Sequence, residues 1–380
     1  MPRVVANQSA VSQPATHPPE ALLAFHRSLP GYAPTPLVPL DSLAAELGVE
    51  KVWLKDETQR IGLPSFKIMG ASWAVAAAIA RHLTLDSLDL GSLRASLSGS
   101  GVQLCAATDG NHGRAVARMA RLLGVPCRIF VPAGLAEDRI ASIASEGAEV
   151  VRGTHTYDPT VMEAADWAAS ERALLIQDTS WSGYEEVPRQ IVLGYDTILR
   201  EVDDELRLRG FGTPTLVMAQ AGVGSFASAV VAHYGSGDDR PQFVSIEPDS
   251  ADCVAASIQE GLPTEAAGNL DSIMAGLNCG VVSELAWPIL RDGLGAAVTI
   301  DDDGAREGMR ELAQAGVSAG ECSGAAVGGL RLLLSDARWR ERLGITSESC
   351  VLVFATEGVT EPSTYTSIVG GELGAGIRGH

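Results

Sequence analysis

The chain has 380 residues, of which 46% are hydrophobic and 20% are charged, and its formal net charge is −19. This length predicts about two to three domains, and the apolar content excludes a mostly disordered chain. Charge of this sign repels nucleic acid and anionic membrane surfaces, and no apolar stretch reaches the roughly 18 residues that a membrane span needs. We therefore expect neither nucleic acid nor a membrane as a partner.

The first 30 residues are rich in Pro, Ser, Ala and Gln and lack the apolar core of a signal peptide. We expect them to form a flexible tail. No two of the six cysteines form a C-x-x-C pair, so no zinc or other metal site is expected. Reduced, buried thiols in a cytoplasmic enzyme are the default expectation.

Short apolar runs alternate with longer helical stretches along the chain. Buried strands are predicted at 102–108, 127–132, 148–153, 215–221, 242–248 and 349–358. Helices are predicted at 113–123, 137–146, 159–172 and 187–206, and Asp301–Asp303 indicates a further helix N-terminus. Continuous Val, Ile and Leu character is typical of parallel strands covered on both faces. The alternation predicts an α/β fold built from βαβ units.

The first motif that carries chemistry is Ser65-Phe66-Lys67, which opens an Ala-rich helix. A helix N-terminus disfavours a cation, and apolar neighbours indicate partial burial. Both effects lower the pKa of a lysine and suit it to attack a carbonyl group. A surface lysine at the start of a helix is the alternative interpretation.

The second motif is the polar turn Thr108–Gly113 between a strand and a helix. Donors at such a turn can hold a carboxylate. An ordinary capped turn, with His112 as a helix-cap residue, is the alternative.

The third motif, residues 222–227, reads G-V-G-S-F-A between a strand and a helix. Glycines there let backbone N–H groups approach a phosphate. The same letters match the dinucleotide fingerprint, with Glu247 as a candidate ribose-binding acid. A NAD-dependent dehydrogenase is therefore a competing interpretation.

The fourth motif combines the Gly-rich stretch 318–334 with Thr356 at the end of a predicted strand. A hydroxyl there would be a neutral partner for a heterocyclic nitrogen. A simple strand-to-helix turn explains the pattern equally well.

Taken in order, the four motifs resemble the fold-type II enzymes of pyridoxal 5′-phosphate, the tryptophan synthase β-subunit superfamily. More narrowly, the sequence resembles the diaminopropionate ammonia-lyases. The family-like stretches include RIGLPSFKIMGA (60–71), ATDGNHGRAVA (107–117), IQDTSWSGYEEVPRQIVLGY (176–195), SIMAGLNCG (272–280) and ATEGVTEP (355–362). The resemblance implies two open, twisted, mostly parallel sheets flanked by helices, with the cofactor in the cleft between them. It also implies a large domain of 31–88 and 196–380, a small mobile domain of 89–195, and a homodimer.

Residue by residue, the resemblance implies that Lys67 binds pyridoxal 5′-phosphate covalently, with Phe66 beside it. Asn111 would bond the cofactor's 3-oxygen, and Thr356 would face its ring nitrogen. The phosphate would be bound by Gly222, Val223, Gly224, Ser225 and Phe226. The substrate carboxylate would be held by Thr108, Asp109, Gly110 and His112. Asp178 would meet the side-chain ammonium of the amino-acid substrate.

The activity that the resemblance implies is α,β-elimination of 2,3-diaminopropionate to pyruvate and ammonia. Lys67 would remove the α-proton of the L-isomer and Asp109 that of the D-isomer. A serine/threonine dehydratase, a β-replacement synthase and a cofactor-binding regulator without turnover are the alternatives on this fold. The sequence departs from the family at Ser65, Asn278 and Ala355, and Cys253 and Cys279 match a cysteine pair that recurs in relatives.

Overall fold

The structure, a computed structural model, describes residues 1–12, 18–108, 110–237 and 239–370. Within these ranges the strands are β1 (Arg3–Ala6), β2 (Leu37–Pro39), β3 (Lys51–Asp56), β4 (Leu104–Ala107), β5 (Cys127–Val131), β6 (Glu149–Arg152), β7 (Leu174–Leu175), β8 (Leu216–Gln220), β9 (Gln242–Pro248), β10 (Ala296–Ile300) and β11 (Cys350–Ala355). The helices are α1 (Glu20–Ser28), α2 (Asp41–Leu47), α3 (Lys67–Leu83), α4 (Leu90–Ser96), α5 (Asn111–Leu123), α6 (Glu137–Ala144), α7 (Tyr157–Glu171), α8 (Glu186–Gly194), α9 (Asp196–Leu208), α10 (Ser225–Tyr234), α11 (Cys253–Glu260), α12 (Ala286–Gly293), α13 (Asp302–Gln314), α14 (Glu321–Ser335), α15 (Ala337–Arg342) and α16 (Pro362–Val369).

The strands form two sheets, which confirms the predicted α/β fold. The larger sheet has the order β1-β10-β9-β8-β11-β3-β2, parallel except at its two edge strands. The smaller sheet has the order β6-β5-β4-β7 and is parallel throughout. All four of its strands come from the chain between β3 and β8, so one continuous segment of the chain forms the smaller sheet.

Both faces of the larger sheet are buried, as the continuous apolar runs predict. On β11, Leu352 and Phe354 pack into one apolar core, and Val351 and Val353 pack into another on the opposite face. Successive side chains of a strand point to opposite faces, so a strand covered on both sides must be apolar at every position. This geometry explains the run at 349–358, although the strand itself ends at Ala355.

The prediction that residues 1–30 form a flexible tail is wrong for two segments. Arg3–Ala6 pairs antiparallel with β10 as an edge strand, and the helix Glu20–Ser28 buries Leu22 and Phe25 in the core. The Pro-, Ser- and Gln-rich composition gives no sign of these two segments, of which the strand is stabilised by pairing and the helix by burial of its apolar side chains. Residues 13–17 lie outside the described residues.

The predicted helix 187–206 is two helices, α8 and α9, which meet at Tyr195. A Cβ on Gly194 would lie 2.6 Å from the carbonyl oxygen of Met69, so glycine is required where α8 crosses α3. The predicted N-terminus at Asp301 is confirmed, because its carboxylate accepts a hydrogen bond from the N–H of Gly304 at 2.9 Å. In the part of the chain that is described, no helix combines the length and apolar character needed to cross a bilayer.

Candidate active site

A pocket lies at the carboxyl ends of β8 and β11, where ligands bind in open parallel sheets. It encloses about 640 Å³ of empty space, counting its open mouth. Every residue that the sequence predicts to contact the cofactor lines it: Phe66, Lys67, Asn111, Gly222, Val223, Gly224, Ser225, Phe226 and Thr356. Asp178 also lines it. The four sequence motifs therefore converge on one cavity.

Lys67 is the first residue of α3. The backbone segment that leads to Lys67 is hydrogen-bonded to the residues that follow β11. The N–H of Phe66 donates to the carbonyl of Thr356 at 3.3 Å, and the N–H of Gly358 donates to that of Pro64 at 2.8 Å. The side chain of Lys67 is 21% exposed and its Nζ donates to Asp178 Oδ2 at 2.6 Å. Lys67 therefore points into the pocket and does not lie on the surface.

Asp178 is a buried carboxylate held in its ionised form. Burial by itself raises the pKa of Asp178, but the ammonium of Lys67, with hydrogen bonds from Lys67 and Tyr157, brings that pKa well below its usual range. The Tyr157 hydroxyl donates to Asp178 Oδ1 at 3.3 Å. The result is a fixed negative charge in the pocket wall at neutral pH.

His112 lies beside this carboxylate, and it does not line the pocket. Its Nε2 donates to the carbonyl of Ile176 at 2.6 Å, because a carbonyl can only accept. Burial lowers the pKa of His112, so the ring is neutral at neutral pH and its Nδ1 carries the lone pair. That Nδ1 lies 3.8 Å from Asp178 and has no hydrogen-bond partner among the described residues.

The turn before α5 is organised by the buried Thr108. Its Oγ1 accepts hydrogen bonds from the N–H groups of Gly110 and Gly113, at 2.9 and 3.0 Å. Gly110 has φ +147°, and a Cβ on Gly113 would lie 2.3 Å from Thr108 Cγ2. Thr108 thus shapes the turn from beneath the pocket. Asp109 lies outside the described residues.

Residues 222–226 form a cradle that suits a phosphate group. Gly224 has φ +92°, and a Cβ there would lie 2.6 Å from Leu290 Cδ1. A Cβ on Gly222 would lie 3.0 Å from the Sγ of Cys279. No side chain of the described residues caps α10, so its first N–H groups are left for an anion. The Ser225 hydroxyl donates to the carbonyl of Asp178 at 2.6 Å, which leaves its backbone N–H for such a ligand.

The opposite wall suits a flat heterocycle. Thr356 is buried directly after β11 and brings a neutral hydroxyl to the pocket. Asn111 Nδ2 donates to Glu357 Oε2 at 2.7 Å. Gln220 lines the same wall, and its Oε1 is a buried acceptor with no hydrogen-bond partner among the described residues. A lysine, an uncapped helix N-terminus and a neutral hydroxyl around one cavity fit pyridoxal phosphate.

The structure does not support Glu247 as the ribose-binding acid of a dinucleotide site. Glu247 is fully buried, and its two carboxylate oxygens accept hydrogen bonds from the N–H groups of Val254 and Ala255, at 2.7 and 2.8 Å. Both oxygens therefore cap α11 and are not presented to a ligand.

Sequence reasoning missed several residues of the pocket wall, among them Tyr157, Gln220, Cys322 and Glu357. Gln220 ends β8 and Glu357 follows β11 by two positions, so the rule that sites lie at strand ends could have found both. Tyr157 opens α7 and carries no local signal. Cys253 and Cys279 are both buried, and no disulfide joins them in the described structure.

Comparison with known proteins agrees with this geometry. The family described as pyridoxal-phosphate dependent enzyme matches residues 29–355. The diaminopropionate ammonia-lyase of Salmonella typhimurium is 36% identical over 366 residues, which cover 92% of this chain and 91% of that protein.

Solved structures of the Escherichia coli diaminopropionate ammonia-lyase are similar over 97% of both chains at 32% identity. The TM-score is 0.89 for its complex with D-serine and 0.86 for its complex with an aminoacrylate-PLP azomethine reaction intermediate. The chain therefore belongs to the pyridoxal-phosphate dependent enzymes and, within them, to the diaminopropionate ammonia-lyase family.

Proposed function

We propose that this enzyme eliminates ammonia from 2,3-diaminopropionate, giving pyruvate and two ammonia with the uptake of one water. The observation that carries the proposal is the ionised Asp178 facing Lys67 at 2.6 Å inside the cofactor pocket. The relatives named diaminopropionate ammonia-lyase support the same substrate.

The chemistry that the cofactor supplies determines what the side chains of the pocket must do. When bound, pyridoxal phosphate takes up the electron pair that is left when the Cα–H bond of an amino acid breaks. Lys67 would bind it, residues 222–226 would hold its phosphate, and Asn111 and Thr356 would contact its ring. The neutral Thr356 hydroxyl favours elimination over transamination, because it does not force a proton onto the ring nitrogen.

Lys67 Nζ is the group that we assign to removal of the Cα proton from the L-isomer. The Cβ–N bond then breaks, and the β-ammonium group leaves as neutral ammonia with the electron pair of that bond. Thr108, Gly110 and His112 shape the turn whose N–H groups would hold the substrate carboxylate.

Asp178 is the group that we assign to substrate choice. A carboxylate within about 4–6 Å of an ammonium group stabilises the charged form of that ammonium. Diaminopropionate carries an ammonium at Cβ where serine carries a neutral hydroxyl, so the ionised Asp178 favours the former.

Asp109 is proposed as the second base, acting on the D-isomer, and this role rests on the sequence resemblance. An Asp109→Asn variant is expected to lose turnover of the D-isomer much more than that of the L-isomer. Equal loss for both isomers would contradict the assignment.

The test of the function is a product assay with the holoenzyme and 2,3-diaminopropionate. We expect pyruvate, with two ammonia released for each pyruvate. Keto acid from serine or threonine but not from diaminopropionate would assign a dehydratase. A product that forms only with an added nucleophile would assign a synthase, and bound cofactor without turnover would assign a regulator.

The assembly and the domains are also proposals. We propose a homodimer, in which residues 89–195 form the small domain and residues 31–88 and 196–380 form the large one. The origin of all four strands of the smaller sheet between Leu104 and Leu175 supports this division. Light scattering on the purified holoenzyme measures the oligomeric state directly.

A further inference from the structure

Glu357 is a buried carboxylate in the pocket wall to which the proposed function gives no task. It is 2% exposed and follows Thr356 at the end of β11. Its Oε2 accepts a hydrogen bond from Asn111 Nδ2 at 2.7 Å, and its Oε1 accepts one from the N–H of Cys322 at 3.1 Å. The two oxygens thus serve two donors on two different helices, α5 and α14.

The backbone of Glu357 is fixed on both sides. Its N–H donates to Ser323 Oγ at 2.9 Å, and the same hydroxyl donates back to its carbonyl at 2.7 Å. That carbonyl also accepts from the N–H of Gly320 at 3.0 Å. With its main chain held against α14, the carboxylate has little freedom to follow Asn111 if the amide turns.

A carboxylate that only accepts determines which way an asparagine amide faces. The oxygen and the nitrogen of the amide are nearly the same size, so a neighbour that can both donate and accept permits either orientation. Glu357 rejects the amide oxygen and takes one N–H of Nδ2. The second N–H of the same nitrogen is then directed by the first.

We propose that Glu357 is a positioning residue for Asn111, presenting an amide N–H to an oxygen substituent on the ring of pyridoxal phosphate. The proposal rests on the Asn111–cofactor contact of the proposed function. It also links the two sheets, because Asn111 opens α5 directly after β4 of the smaller sheet, whereas Glu357 follows β11 of the larger one.

A double-mutant cycle with Glu357→Gln and Asn111→Ala tests this positioning role in the holoenzyme. The two readouts are the dissociation constant of pyridoxal phosphate, measured by equilibrium dialysis, and the visible absorption maximum of the bound cofactor. A glutamine offers one acceptor oxygen to two donors, so the amide of Asn111 is no longer fixed. We expect each single variant to weaken cofactor binding about 10-fold, the value of one hydrogen bond to a charged group.

The decisive measurement is the dissociation constant of pyridoxal phosphate for the double variant. If Glu357 acts through Asn111, the double variant binds the cofactor about as weakly as either single variant and shows the absorption maximum of Asn111→Ala. If the effects multiply to about 100-fold, Glu357 acts independently and the positioning role is overturned. An Asn111→Ala variant with an unchanged dissociation constant would instead refute the proposed Asn111–cofactor contact, and the positioning role with it.

A matched control is Glu361→Gln in the same segment. Glu361 is 26% exposed, pairs with Arg139 and does not line the pocket, so we expect no change in the absorption maximum. If Glu357→Gln fails to fold, Glu357→Asp completes the cycle, since it keeps both acceptor oxygens on a side chain too short to reach both donors.

Discussion

Lys67 and Asp178 form an ion pair across the pocket, with 2.6 Å between Nζ and Oδ2, although 111 positions separate them in the sequence. Lys67 opens α3 beside the larger sheet, and Asp178 follows β7 of the smaller one. The pair therefore forms only when both sheets are in place. It joins the group that we assign to proton removal to the group that we assign to substrate choice.

Removing the hydroxyl of Tyr157 should weaken substrate binding more than turnover. Tyr157 donates to Asp178 Oδ1 at 3.3 Å and accepts from Gln177 Nε2 at 2.9 Å. In Tyr157→Phe the carboxylate keeps its charge but loses one donor, so we expect KM for diaminopropionate to rise about 3- to 10-fold with kcat nearly unchanged.

The control for Tyr157 is Tyr184→Phe. The Tyr184 hydroxyl is also hydrogen-bonded, but to the backbone of Gln177 and Leu175 and not to Asp178. This variant should lower stability and leave KM unchanged. Equal changes of KM in the two variants would contradict the role given to Tyr157.

Gly224→Ala should cost cofactor binding. The alanine would have to adopt φ +92°, and its Cβ would lie 2.6 Å from Leu290 Cδ1, so the phosphate cradle must shift. Backbone strain of this kind costs about 1–3 kcal/mol. We expect less cofactor absorbance per protomer and a lower melting temperature. Gly212→Ala is the control, since no atom of the described residues lies within 4 Å of its Cβ. Equal retention of the cofactor by both variants would contradict the role given to Gly224.

The stability contribution of His233 should disappear at high pH. Burial lowers the pKa of His233, but hydrogen bonds and charge from Asp196 and Asp203 outweigh it and raise that pKa to about 9. An imidazole whose pKa is raised in the folded state stabilises the fold fully below about 6.5, and the contribution is lost as the pH rises through about 9.

The His233→Gln variant measures this dependence. In urea unfolding it should be less stable than the parent by about 2–3 kcal/mol near pH 6, and the gap should close above pH ~9. A gap that does not change with pH would show that packing and not charge accounts for the loss.

Removing the carboxylate of Glu201 should destabilise the fold severely. It accepts hydrogen bonds from Lys55 Nζ at 2.7 Å and from Arg60 at 2.7 and 2.8 Å, and all three side chains are buried. Glu201→Ala leaves two buried cations short of one anion, which costs about 3–5 kcal/mol of unfolding free energy. Glu205→Ala, one turn further along α9, removes an exposed pair with Arg209 and should change stability by about 0.5 kcal/mol or less. Similar losses in both variants would contradict this difference.

The buried strands and the pocket could be predicted from the sequence because both depend on local signals. Apolar runs marked β8, β9 and β11, and glycines with a helix start marked the phosphate cradle. The strand Arg3–Ala6 could not be predicted, because four residues gain stability only from pairing with a distant edge. The contact between Glu357 and Asn111 could not be predicted for a related reason, because nothing near Glu357 in the sequence indicates which side chain its carboxylate meets.

The most direct test of the account compares diaminopropionate with serine as substrates of the parent enzyme and of Asp178→Asn. Removing one partner of a buried charge pair costs about 2 kcal/mol or more, which is roughly 30-fold in kcat/KM. We expect the parent enzyme to prefer diaminopropionate by at least that factor, and the variant to lose the preference while it retains measurable turnover of serine. A preference that survives in Asp178→Asn, or a parent enzyme that prefers serine, would contradict the account.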